Sequence, residues 1–137
     1  MRLLHYTPTE ALLRLALAFA FLYPAIDAVF DPVSWLGYFP HFLLSLYDKL
    51  IGVPFRLSDV VLLHSFGLLE VALAVWVLVG RRVRIPALVM AVILFLIVLF
   101  NLNPSDFQVV FRDVSIAFGA LALASLDVRR GAHGNEA

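Results

Sequence analysis

Phe66-Gly67-Leu68-Leu69-Glu70-Val71-Ala72-Leu73-Ala74-Val75-Trp76-Val77-Leu78-Val79-Gly80-Arg81-Arg82-Val83-Arg84 is an apolar run with one carboxylate in its middle and three arginines at its end. A charge at the centre of a bilayer costs roughly 2.5 to 3.5 kcal/mol even on lenient insertion scales. Glu70 therefore predicts an internal partner. The arginines predict which end faces the cytoplasm, because basic residues accumulate on that side.

The rest of the composition agrees with a bilayer setting. Of 137 residues, 63% are hydrophobic and 15% charged, against about 45–50% and 25% in soluble domains. The mean hydropathy is +0.97. The length suits one domain of about four spans, each needing roughly 20 residues. A formal net charge of zero gives no bulk attraction to nucleic acid. The absence of cysteine excludes disulfides, a CxxC redox centre and thiolate metal sites. Arg2 before an apolar run resembles a leader. Arg14, Pro24 and the lack of a small-x-small cleavage site before Asp27 argue instead for a retained first span.

Taken outward from the central run, the fold class expected is all-α: an integral membrane four-helix bundle with a short interfacial helix between spans one and two. Thr7-Pro8-Thr9-Glu10 opens the first span, 8–30, with Thr7 as N-cap, Pro8 at the first helical position and Glu10 closing a capping box. Pro24 is expected to kink it. The aromatic-rich connection 31–58 holds a segment, 40–51, too short to span and suited to the membrane surface. Span two is 60–79, capped by Ser58 or Asp59. Gly80–Pro86 forms a basic turn, and span three, 86–102, has no ionisable residue and is expected to be the most lipid-exposed helix. Asn101-Leu102-Asn103-Pro104 breaks it. Ser105 and Gln108 open span four, 106–126; Asp127-Val128-Arg129-Arg130 is expected to end it and to leave 131–137 as a disordered tail. Three arginines in the 80–84 turn, and Arg129 with Arg130, place both termini in the cytoplasm, which makes this a multi-pass protein of the inner membrane.

That topology sets depths by helical rise. Asp27 lies about one turn below the outer surface, His64 about 6 Å, and Arg112 and Asp113 about 9–10 Å, with Glu70 near the midplane. Charges so deep are expected to face inward and pair. Helical phase puts Gln108, Arg112, Ser115, Gly119 and Ala122 on one face of span four, and Asp106, Asp113, Ala117, Ala120 and Ala124 on the next. On span two, Leu63, Gly67, Glu70 and Ala74 line up, with His64 one sector round. Small residues let helices approach closely, so these stripes are the expected seams. The candidate polar site is therefore Glu70, Arg112, Asp113, His64 and Asp27, with Arg14 nearer the cytoplasm.

Three readings of that cluster stay open. It is a structural ion-pair network of Glu70, Arg112 and Asp113, with Arg112 offsetting Glu70, a polar pocket for a quinone head group, a small acid or a proton path, or a functional interface with another subunit. His64 reads as a hydrogen-bonded boundary residue, and Arg14 as a snorkelling residue near the inner surface. Asp27 serves equally as a cap or a pocket wall. Two facing intramembrane histidines for haem are lacking, and no nucleophile-elbow, phosphate-loop or HExxH pattern occurs.

Leu12-Leu13-Arg14-Leu15-Ala16-Leu17, Phe66-Gly67-Leu68-Leu69-Glu70 followed by Val79-Gly80-Arg81, and Phe111-Arg112-Asp113-Val114-Ser115-Ile116-Ala117 resemble the DoxX-like family of small four-span membrane proteins. The resemblance covers nearly the whole chain through short motifs, with Arg14, Glu70, Arg112 and Asp113 matching the family's polar positions. Tyr23-Pro24-Ala25-Ile26-Asp27 departs from it, where relatives often carry a glycine and a lysine. The resemblance implies a non-catalytic membrane subunit or anchor of a quinone-linked redox system in the lipid bilayer, with a redox enzyme as its partner; whether the chain also pairs with further copies of itself is left open by the sequence. Quinone is the one cofactor it suggests. The alternatives are a small carrier binding an anionic or protonatable ligand at Glu70 and Arg112, or a purely structural assembly factor.

Overall fold

The structure is a computed structural model that describes residues 7–36, 45, 49, 55–80, 82–100 and 107–134. Every element among them is an α-helix: α1 Pro8–Phe30, α2 Pro32–Leu36, α3 Phe55–Val79, α4 Arg84–Phe100 and α5 Phe107–Gly134. The expected interfacial helix 40–51 lies outside the described residues, except that Ser45 and Lys49 are helical.

The first helix starts as its sequence dictates. The Glu10 amide donates to Thr7 Oγ1 at 3.3 Å, and the Ala11 amide donates to the Thr7 carbonyl at 3.0 Å. The helix runs through Pro24 to Phe30. Its end is followed by α2, which the sequence reading missed. The Asp31 carboxylate caps α2 by accepting from the backbone amide and the hydroxyl of Ser34, and Pro32 fills the first helical position, where a missing N–H costs nothing.

Three expected boundaries move. α3 begins at Phe55, so Ser58 and Asp59 lie inside the helix and do not cap it. α4 begins at Arg84, two residues early, and takes Pro86 into its first turn. A proline is tolerated there because the first four amides of a helix have no intrahelical partner. α5 continues to Gly134, so Asp127-Val128-Arg129-Arg130 does not end it and 131–134 are helical. Arginine is a good helix former, so that sequence marks the end of the apolar stretch and not of the helix.

Two helical segments are long and apolar enough to cross a membrane, Pro8–Phe30 and Val60–Val79; Arg84–Phe100 is apolar but shorter. At about 1.5 Å per residue these are about 34, 30 and 26 Å, against a hydrocarbon core of about 30 Å.

The chain clusters into two compact units, one of Met1–Ala20 with Leu73–Ala137 and one of Phe21–Ala72. In the first, α4 packs on α5, and Ala87, Met90, Ala91 and Leu94 of α4 and Ala117, Ala120, Leu123 and Ala124 of α5 are buried. Their spacing of three and four residues is one helical face. Phe95 and Phe118 meet edge to face at 6.1 Å beside this seam. The opposite face of α4, with Val92, Leu96 and Leu99, is exposed. In the second unit, Gly67 is so close to Ala25 that an added Cβ would lie 3.7 Å from the Ala25 Cα. This is the small-residue approach expected for α3, and Leu63 and Glu70 on the same face are buried too.

Candidate functional site

The most completely described polar constellation is built on Arg14. Its Nε and Nη2 donate to Glu10 Oε1 at 3.1 and 2.8 Å, and its Nη1 donates to the carbonyls of Val77 and Gly80 at 2.9 and 2.8 Å. The side chains of Arg14 and Glu10 are 3% and 7% exposed. Glutamate four residues before arginine puts both on one helical face. That face is turned to the end of α3, where the last four carbonyls lack intrahelical donors and the helix dipole is negative. Arg14 satisfies the Val77 carbonyl, and the Gly80 amide satisfies that of Trp76 at 2.7 Å. One guanidinium thus ties the first turns of α1 to the last turn of α3 and carries its own counter-charge.

Gly80 is dictated by this closure. A Cβ on it would fall 2.3 Å from the Trp76 carbonyl oxygen and 2.5 Å from the Trp76 Cδ1, distances no side chain adopts without moving the backbone. Arg14 therefore does not snorkel. Snorkelling serves a cation that has water or head groups as its only partners; here a carboxylate and two carbonyls hold the head group inside. Glu10, read from the sequence as a capping residue, is instead the partner of Arg14. The i, i+4 spacing was the signal for it.

The second charged pair in the same unit joins neighbours on α5. Arg112 Nε donates to Asp113 Oδ1 at 3.0 Å. Asp113 is buried with a side chain 5% exposed, whereas that of Arg112 is 50% exposed. Consecutive helical residues point about 100° apart, so a pair at i, i+1 cannot place both groups in the core. Burial separates the two stripes expected on this helix. Asp113, Ala117, Ala120 and Ala124 are the buried face. Gln108, Arg112, Ser115 and Ala122 are exposed, and an added Cβ on Gly119 meets nothing within 4 Å. The polar-to-small stripe is thus not a seam between described helices.

The remaining site residues fall in the second unit. Glu70 is buried, on the α3 face that carries Leu63 and Gly67. Asp27 accepts a hydrogen bond from Trp35 Nε1 at 3.1 Å, and Trp35 also meets the Tyr23 ring edge to face at 6.5 Å. Asp27 therefore ties the Trp35 side chain of α2 to the end of α1, a side-chain contact and not a helix cap. His64 is exposed, and its Nδ1–H donates to the Val60 carbonyl at 2.7 Å, a bond within its own helix. Glu70 belongs to this unit and Arg112 to the other; the ion pair that Arg112 makes within its own unit is with Asp113.

Among the described residues no group of three or more His, Asp or Glu side chains is placed to hold a metal ion. Comparison with models of protein families, with curated proteins and with solved structures finds no match to this chain.

Proposed function

We propose that this chain is an integral inner-membrane protein, a four-helix bundle with both termini in the cytoplasm, that serves as a non-catalytic anchor for a redox partner. One observation carries the membrane part of this reading. Glu10, Arg14, Glu70 and Asp113 are buried, while Leu12, Phe19, Ile26, Leu68, Val75, Leu96 and Phe118 are exposed. Water favours the reverse distribution, since burying a charge costs far more than burying a leucine. In a bilayer the apolar side chains face a solvent of their own kind, and the charges turn inward to partners.

The anchor part rests on the use of the best-defined charge. Arg14 is committed to Glu10 and two backbone carbonyls, which is a static, structural employment. The partner class rests on the DoxX-like resemblance of the Arg14, Glu70 and Phe111-Arg112-Asp113 segments, and it is a quinone-linked oxidoreductase. Alkaline carbonate washing of native membranes tests the first part: the chain stays with the lipid, and its release would overturn the membrane reading. Affinity purification from the same membranes tests the second. A co-purifying quinone-linked enzyme supports the anchor, whereas solute flux through liposomes holding the pure protein would replace it with a carrier.

A further inference from the structure

Asp27 is a carboxylate with a neutral partner. It is half-buried, and the group it holds is the uncharged Trp35 indole N–H at 3.1 Å. Among the described residues no ion pair reaches it, in contrast to Glu10 and Asp113, which each have an arginine. Sequence supplies no counter-charge close by either, since no lysine or arginine occurs between Arg14 and Lys49. Asp31, the other acid of this stretch, is taken up by the amide and hydroxyl of Ser34. A carboxylate drawn out of bulk water without a cation is costly, and an arriving cation relieves that cost.

The groups around Asp27 decide which cation fits. Tyr23 is one turn before it on α1, so the two side chains share a face, and Tyr23 is 61% exposed. The helix closes with the Asp31 amide on the Asp27 carbonyl at 2.9 Å. The chain then turns into α2 and brings Trp35 back onto both residues. Its N–H meets the carboxylate, and its ring stands 6.5 Å from the Tyr23 ring with the planes 69° apart. All three residues belong to the same compact unit. Together they present one carboxylate flanked by two steeply inclined aromatic rings. A hard divalent cation takes about six or more oxygen ligands, which this corner does not offer. An alkylammonium group instead wants aromatic faces and a single counter-charge. We propose that Tyr23, Asp27 and Trp35 form a binding site for an alkylammonium group, carried either by a lipid head group or by a free amine. On the membrane reading above, the site lies about one turn below the outer surface, the level at which tryptophan and tyrosine collect.

The test follows Trp35 alone. In the full chain carrying Trp76→Phe it is the only tryptophan, and its emission in neutral detergent is titrated with choline chloride. The controls are sodium chloride at equal ionic strength and the neutral isostere of choline, in which carbon replaces the ammonium nitrogen. Choline changes the emission saturably, and neither control does. Asp27→Asn keeps an acceptor for the indole N–H but removes the charge, and it weakens choline binding by about tenfold, the loss of one charge-assisted contact. Tyr23→Leu weakens it by about two- to fivefold, as expected for one exposed aromatic face, while Tyr23→Phe keeps it. Tyr23 is exposed, so its two variants test the site even if Asp27→Asn fails to fold. Equal binding of the neutral isostere, a response to sodium chloride alone, or a Tyr23→Leu variant that binds as the parent would overturn the proposal. The titration in detergent stands apart from the membrane reading; only the source of the ammonium group draws on it. Bilayers of phosphatidylglycerol with and without phosphatidylcholine separate the sources. Choline binding weakened by phosphatidylcholine supports the site with a lipid head group as its occupant, and equal choline affinity in both bilayers supports it with a free amine.

Discussion

The two ion pairs of the first unit use the same chemistry and come out as opposites. Glu10 and Arg14 are one turn apart on α1, both buried, and the guanidinium reaches past its carboxylate to the end of another helix. Arg112 and Asp113 are adjacent on α5, so only the aspartate is buried and the arginine is half exposed. Sequence spacing decides the difference. A four-residue step stacks two side chains, and a one-residue step splays them. A buried arginine whose donors are aimed at fixed acceptors is a joint between helices. An arginine beside a buried aspartate is a screen for that one charge.

Substitutions can break or sharpen this contrast. Arg14→Ala has the largest expected effect, about 3–5 kcal/mol, because it removes the ion-pair partner of the buried Glu10 and the donor to two carbonyls. Its readout is reversible unfolding in mixed micelles. Gly80→Ala is next. The added methyl collides with the Trp76 carbonyl, so the backbone shifts and carries the Gly80 carbonyl away from Arg14, with a loss of about 1–3 kcal/mol. The Arg14→Ala, Gly80→Ala double variant is then less destabilised than the sum, since both disrupt one joint. Additive losses would show that Gly80 acts independently. Glu10→Gln keeps an acceptor for Arg14 but removes the charge, and it costs about 1.5–3 kcal/mol by the loss of charge-assisted bonds. Arg112→Gln is smallest, under about 1 kcal/mol, because the exposed half of the pair is loosely held. An Arg112 variant more damaging than the Arg14 variant would reverse the assignment of joint and screen.

Where local rules act alone, the sequence and the structure agree. Thr7-Pro8 opens α1, and the apolar run through Glu70 ends at Val79-Gly80, because capping and the end of hydrophobic periodicity are decided within a few residues. The Asp31-Pro32 start of α2 obeyed the same rules but was hidden in a long aromatic connection. α5 outran its expected end because no helix breaker occurs between Asp127 and Arg130, and charge alone stops a membrane segment without stopping a helix. Helical phase grouped the residues of α5 correctly into two stripes. It did not say which one packs, since both contain small residues; the burial of Ala117, Ala120 and Ala124 decides that. Arg14 and Glu10 were each visible, but a glutamate three residues after a threonine reads equally as a capping box. The tertiary carbonyls of Val77 and Gly80, more than sixty residues away in sequence, settle the matter and leave no trace in local pattern.

The chain has two tryptophans, and each reports on a different unit. Trp35 holds the Asp27 carboxylate and the Tyr23 ring, while the Trp76 indole lies against Gly80 beside the Arg14 joint. In the Trp35→Phe variant the remaining emission follows the joint; in Trp76→Phe it follows the attachment of α2. Intrinsic fluorescence therefore gives two separate melting curves from one small protein with no added label. If one half of the chain loosens before the other, the two curves will part.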